Sequence, residues 1–255
     1  MKKQLMIAAG LLLLVAGATA IFLQLPGETR AAGNTYYVST TGNDANACTP
    51  NDLSKAKRTI QQGVLCAQAG ETVMVKAGTY TENVTNWRSG SAGSPITVKA
   101  ASGETVNWIS PTGAPTLGNP GAALTCQVRI NDRSYIRIEG FIFRDSAASC
   151  VIRVLQTGGI AGKTSTPIQG IEIINNTFIN NGGPRTDTGY MSRQIYLQYI
   201  GRDANYTGGT VNLIQGNTFQ NNYGAGIDFD NSSDIRVVSN ISTGALENKN
   251  DSNVN

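Results

Sequence analysis

A short motif occurs twice, almost intact, in the second half of the chain. Ile173-Ile174-Asn175-Asn176-Thr177-Phe178-Ile179-Asn180-Asn181 returns as Leu213-Ile214-Gln215-Gly216-Asn217-Thr218-Phe219-Gln220-Asn221-Asn222. Weaker copies stand at Ile138-Glu139-Gly140-Phe141-Ile142-Phe143-Arg144 and Val237-Val238-Ser239-Asn240-Ile241. The unit is a short apolar strand, an Asn or Gly corner and a second short strand, with no helix. Recurrence every few dozen residues marks a repeat architecture in which each unit buries its apolar face against the next. An all-strand unit of this size predicts one turn of a parallel β-solenoid, which would present a long sheet face with loops along its edges.

The repeat lays out about five turns of three strands each. Segments 95–99 and 105–109 supply the second and third strands of the first turn. The next turns take 126–130, 135–139 and 141–144, then 150–155, 170–174 and 177–179. They continue with 194–199, 211–215 and 218–220, and end with 225–230, 234–238 and a weak strand at Ile241. Ahead of them, 72–76 alternates as a strand and 59–68 places Ile60 and Val64 on one face, predicting a short cap helix despite Gly63. Cys126-Gln127-Val128-Arg129 and Cys150-Val151-Ile152-Arg153 match position for position, so the two cysteines should stack, facing inward. Stacked strands lie ~4.8 Å apart, which permits a disulfide or a pair of free thiols acting as small hydrophobes. Corner residues Asn176, Asn217 and Asn240 should stack too, taking the left-handed bend themselves.

The chain opens Met1-Lys2-Lys3, runs apolar, and reaches Ala18-Thr19-Ala20. This reads as a secretory signal over 1–20, or as an uncleaved membrane anchor to about residue 25, since the run is near the ~20 residues a membrane helix needs. Either way the remainder is exported, to the cell surface or beyond it. Residues 21–35 are a linker, 36–243 the β-helix domain with its cap, and 244–255 a polar tail. With no obvious cap over the last turn, a naturally shortened relative or a truncated product is one expectation.

The formal charge is +3 from 20 basic and 17 acidic residues. Discounting Lys2 and Lys3 brings the chain close to neutrality, so nucleic acid is not an expected partner. The four cysteines of an exported chain lean towards disulfides. Cys48 and Cys66 flank the cap helix and form the favoured pair. The chain contains no histidine, which removes histidine bases, most zinc sites and Ser-His-Asp triads together.

Two stretches carry a resemblance. Tyr36-Tyr37-Val38-Ser39-Thr40-Thr41-Gly42-Asn43-Asp44, Thr59-Ile60-Gln61-Gln62 and Gly70-Glu71-Thr72-Val73-Met74-Val75-Lys76-Ala77-Gly78-Thr79-Tyr80 are followed by Gly93-Ser94-Pro95-Ile96-Thr97-Val98-Lys99-Ala100. Together they resemble the cap and first turn of secreted right-handed parallel β-helix proteins of the pectate-lyase-like superfamily, among them family 9 polysaccharide lyases. The resemblance implies an all-β, right-handed parallel β-helix that is a monomer acting on a polysaccharide, and it leaves the reaction open. Calcium-dependent lyases of this kind use an acidic cluster with a lysine or arginine base. No run here matches their metal motif, and the Asn-Thr-Asp, Asp-Asp, Gly-His-Gly and Arg-Ile-Lys motifs of the related hydrolases are absent.

Strand alternation nominates a site. With Val73, Val75, Val128, Ile152, Val154, Ile195, Leu197, Ile227 and Phe229 facing in, Lys76, Gln127, Arg129, Arg153, Gln194, Tyr196, Gln198, Asp228 and Asp230 face out. Such a face suits a sugar chain, with the cations on its carboxylates; it also fits an ordinary solvated sheet face. Asp228 and Asp230 project together, with Asp234 beyond a turn, so the three could hold calcium, do acid–base work, or simply form a polar edge. A lyase removing the proton next to a uronate carboxylate needs a cation and a base. Arg153 or calcium would supply the first. Lys163, in the loop 157–167, would supply the second if desolvated, and is otherwise a solubilising loop lysine. The expected activities are engagement of a polysaccharide, with β-elimination if it is an acidic one, or a non-catalytic glycan-binding or adhesion role, or none in a truncated relative.

Overall fold

The computed structural model describes residues 33–111, 126–147, 149–159, 167–182, 192–201 and 210–244. The proposed leader and most of the linker lie outside these residues, as does the tail from 245 onwards. No helix among the described residues is long and apolar enough to cross a membrane.

In chain order, β1 (Thr35–Val38), helix α1 (Ile60–Cys66), β2 (Thr72–Val75) and β3 (Gly78–Thr81) are followed by β4 (Ile96–Ala100) and β5 (Val106–Ile109). Three-strand turns then repeat: β6 (Cys126–Asn131), β7 (Ile136–Glu139) and β8 (Ile142–Arg144); β9 (Cys150–Leu155), β10 (Ile171–Ile174) and β11 (Thr177–Ile179). The last two are β12 (Arg193–Gln198), β13 (Asn212–Gln215) and β14 (Thr218–Gln220); and β15 (Ala225–Asp230), β16 (Ile235–Val238) and β17 (Ile241–Thr243). Strands from successive turns stack into three sheets, ordered β1-β2-β4-β7-β10-β13-β16, β3-β5-β8-β11-β14-β17 and β6-β9-β12-β15. We call them A, B and C. Every named strand pair is parallel and in register. The chain visits C, A and B in rotation, which makes one coil: the parallel solenoid that the repeat predicts, with the right-handed β-helix form that the resemblance implies.

Inside the coil, like residues stack on like. Val73, Val98, Ile138, Ile173 and Ile214 form one buried file on sheet A. Trp108, Phe143, Phe178 and Phe219 form another on sheet B, with successive ring centroids 5.2, 5.1 and 5.0 Å apart. Offset stacking of this kind adds about 0.5–1.5 kcal/mol per pair beyond the area buried. The helix α1 caps the first turn. Thr59 accepts at its N-terminus from the Gln62 amide, and Gly63 is needed because a Cβ there would stand 2.4 Å from Val38 Cγ2. The expected disulfide Cys48–Cys66 ties this cap down. At the other end Phe229 (46%), Val237 (46%) and Ile241 (59%) are exposed, since no described turn follows β15–β17.

The Asn corners stack, but not in the expected conformation. The left-handed residue is the one before each: Asn175 (φ 54), Gly216 (φ 66) and Ser239 (φ 54). That bend turns Asn176 and Asn217 inward, where they are buried. Asn217 Oδ1 accepts from Asn176 N (3.0 Å) and its Nδ2 donates to Ile173 O (2.8 Å); Asn240 repeats the arrangement one turn later. A second ladder, Ser146–Asn181–Asn222, runs along the far edge of sheet B.

Candidate functional site

Sheet C carries the candidate face. Its register aligns Arg129, Arg153, Tyr196 and Asp228 in one row, one residue per turn. The row beside it runs Asn131, Leu155, Gln198 and Asp230. The flanking rows Val128–Ile152–Ile195 and Ile130–Val154–Leu197 are buried in the core.

Three expectations need correction. Lys76 lies just past β2 on sheet A, where it pairs with Glu104, so it is not part of this face. Gln127 and Gln194 were expected to project outward and are fully buried. Cys126 and Cys150 were expected in the core; they are disulfide-bonded and pack in a separate cluster with Tyr196. One cause accounts for both of the sheet C errors. Gln127, Val151 and Gln194 are skipped in the strand pairing of every turn, and Val151 belongs to the core. The strands bend at that row, as at a bulge, so alternation resets by one residue. The positions just before the bend, Cys126, Cys150 and Arg193, then share the outer side with Tyr196. Gln127 is left with neither end of its amide hydrogen-bonded, and Gln194 keeps one bond, Nε2 to Tyr223 O.

Arg193 is the residue that alternation missed. Its guanidinium lies 4.4 Å from the Tyr196 ring centroid and bridges to Asp228, while Arg153 approaches the same ring at 5.8 Å. Tyr196 is buried under them, so its ring anchors two arginines rather than offering a stacking surface. A signal was present in the sequence: a strict inward row containing Cys126 and Cys150 would also contain Arg193, and a lone arginine does not belong in an aliphatic core.

The polar groups on this face are knitted together. Arg153 donates to Gln198 Oε1 (2.5 Å), Gln198 donates to Asp230 Oδ2 (2.9 Å), and the Tyr196 hydroxyl donates to the same oxygen (3.3 Å). Burial first, then the neighbouring Arg129 and Arg193, draw the Arg153 pKa below that of a free guanidinium, against an opposing pull from Tyr196. Burial and then the Asp230 carboxylate push the Tyr196 phenol up. Arg129 differs from these: it is exposed, and unpaired among the described residues. The face is therefore cationic at the β6–β9 end and balanced at the β12–β15 end.

The acids do not make a metal set. Asp228 faces Arg193, the Asp230 carboxylate accepts from Tyr196, Gln198 and Asn231, and Asp234 stands before β16 of sheet A, its carbonyl accepting from Asn212. No three His, Cys, Asp or Glu among the described residues converge as metal ligands. A calcium ion wants six to eight oxygens; with Asp228 held by Arg193, Asp230 accepting three hydrogen bonds and Asp234 beside another sheet, these three acids among the described residues do not form such a set. Lys163 lies outside the described residues.

No family model matches the chain. An uncharacterized protein, YwoF of Bacillus subtilis, is 35% identical over 118 residues, covering 46% of this chain and 24% of its own length. The chain thus spans about a quarter of that relative. Among solved structures, a rhamnogalacturonan lyase superposes with a TM-score of 0.45 at 16% identity, covering 84% of this chain and 60% of that one. A pectate lyase gives 0.43 at 19% identity, covering 89% and 58%. A lacto-N-biosidase from Eubacterium ramulus gives 0.43 at 15%, covering 76% and 34%.

Proposed function

We propose that the outer face of sheet C binds an acidic polysaccharide, with Arg129 and Arg153 as the groups that hold its carboxylates. The observation that carries this reading is the in-register row Arg129–Arg153–Tyr196–Asp228, with Arg129 exposed and without a counter-ion among the described residues. A guanidinium recognises a carboxylate as a bidentate fork, and a row that repeats every turn suits a repeating ligand. The protein acts outside the cytoplasm in this reading, a placement supported by its two disulfides. The resemblance to family 9 polysaccharide lyases belongs with the same proposal.

A second reading is β-elimination, favoured by Arg153: a partly desolvated guanidinium beside two others is suited to stabilising the enolate-like charge that forms when a uronate loses its α-proton. Lys163 is the proposed base. The purified chain, run through gels containing pectate, alginate or chondroitin, should be retarded by at least one of them, and Arg129→Ala should clearly weaken the retardation. Chelation should leave binding unchanged, since no cation site is part of it. Absorbance of an unsaturated product in the same mixtures would establish elimination; retardation without product would leave binding alone. Equal mobility in all three gels would overturn the proposal.

A further inference from the structure

Sheet A carries a groove on its outer side, over the first turns and away from sheet C. It is an open depression of about 320 Å³. Its floor is a register row: Thr35 on β1, Thr72 on β2, Thr97 on β4 and Arg137 on β7. The neighbouring row contributes Lys99 and Glu139, paired across the sheet. One wall is built from small residues, Gly33, Gly70 and Gly93 with Ser94 and Pro95. Gly33 is required there, because a Cβ would stand 2.1 Å from the Gly70 carbonyl oxygen.

The polar groups divide sharply into engaged and unengaged. Arg137 pairs with Glu172 and lies 3.9 Å from Glu139, so its charge is already balanced. Lys99 has no acid within salt-bridge distance among the described residues, although Glu139 is its register neighbour. The hydroxyls of Thr35, Thr72 and Thr97 donate to and accept from no described group. All three are half-buried on the floor, spaced by the ~4.8 Å strand repeat. An ordinary solvated sheet face does not need a depression floored by three unengaged hydroxyls with an ammonium in the next row.

We propose that this groove is a second glycan subsite, holding one acidic sugar unit with its hydroxyls on the threonine row and its carboxylate on Lys99. Hydroxyls serve a sugar well because each can donate and accept in turn, and an ammonium on a flexible stem neutralises a carboxylate without demanding a fixed approach angle. The three glycines of the wall let the sugar ring lie close to the backbone there. The inference rests on the reading that the chain engages acidic glycans, and it places part of that engagement on another face.

The test uses the full chain and D-galacturonic acid, with galactose as its neutral counterpart. Amide chemical shifts should move at Thr72, Thr97 and Lys99 on adding galacturonate, and much less with galactose. Lys99→Met, which keeps the apolar stem, should weaken this binding about tenfold, the scale of one hydrogen bond to a charged group. Thr97→Val should weaken it several-fold without lowering the melting temperature, since both side chains are β-branched. In Arg129→Ala the shifts at Thr72, Thr97 and Lys99 should persist, because these amides report the sheet A groove and Arg129 lies on sheet C. Loss in Arg129→Ala with wild-type behaviour in Lys99→Met would overturn the subsite while sparing the sheet C proposal. Binding that survives Arg129→Ala but falls in Lys99→Met upholds it even if sheet C binds nothing. Equal response to galactose and galacturonate would also overturn it.

Discussion

Replacing Asn217 with alanine should destabilise the coil by about 2–6 kcal/mol. The figure follows from what the side chain touches. Asn217 Oδ1 is the acceptor for the buried Asn176 amide at 3.0 Å and for Asn176 Nδ2 at 3.1 Å. Asn217 Nδ2 satisfies the Ile173 carbonyl at 2.8 Å and reaches Asn240 Oδ1 at 2.9 Å. The residue is fully buried, so water cannot replace these partners. Truncation strands one N–H and one C=O, each costing about 1–3 kcal/mol when left buried and unpaired, and interrupts a ladder that continues on both sides. Against the ~5–15 kcal/mol of a typical domain, that is a large fraction. Urea unfolding followed by far-UV circular dichroism gives the difference directly. Asn175→Ala is the comparison: it removes a left-handed corner residue (φ 54) and tests the bend instead of the ladder, at about 1 kcal/mol. A loss below ~1 kcal/mol for Asn217→Ala would mean that the ladder does not hold the turns in register.

Converting both Cys126 and Cys150 to serine should lower stability by about 3 kcal/mol on the loop-closure account, the two being 24 residues apart; guanidinium titration checks it. Arg193→Met should cost about 1–2 kcal/mol in urea, from the lost contact with Tyr196 and the Asp228 pair, and should raise quenching of tyrosine fluorescence by iodide. Burial pushes the Glu82 carboxyl up, although the Ile60 and Gln61 amides donate to it. The folded chain therefore holds that proton to higher pH than the unfolded chain does, and this group's contribution falls as pH rises from the unfolded value of about 4.3 through the raised one. Glu82→Gln should remove that decrement, so that its melting temperature gains on the wild type between pH 4 and pH 7.

The coil was legible because its determinants are local and repeated. The paired copies at 173–181 and 213–222 fall on β10–β11 and β13–β14, and the doubled Asn180-Asn181 and Asn221-Asn222 are the second ladder, visible as a repeat though not read as one. The outer row of sheet C was legible for the same reason from Val128 onwards. It failed ahead of the bend because period-2 alternation assumes an unbroken ladder, and a one-residue slip exchanges the two faces. Lys76 was misassigned for another reason: β2 alternates like any strand, and nothing in its residues distinguishes sheet A from sheet C. The groove on sheet A could not be read at all, since Thr35, Thr72 and Thr97 are brought together only by the stacking of turns whose lengths differ.

The central claim is that the aligned cations of sheet C are a ligand face. A crystal structure of the chain with an oligogalacturonate tests it most directly. The account predicts a uronate carboxylate within hydrogen-bonding distance of the Arg129 guanidinium, with the sugar chain running across β6, β9 and β12. Ligand density elsewhere on the molecule, with the Arg129–Arg153 row bare, would contradict it.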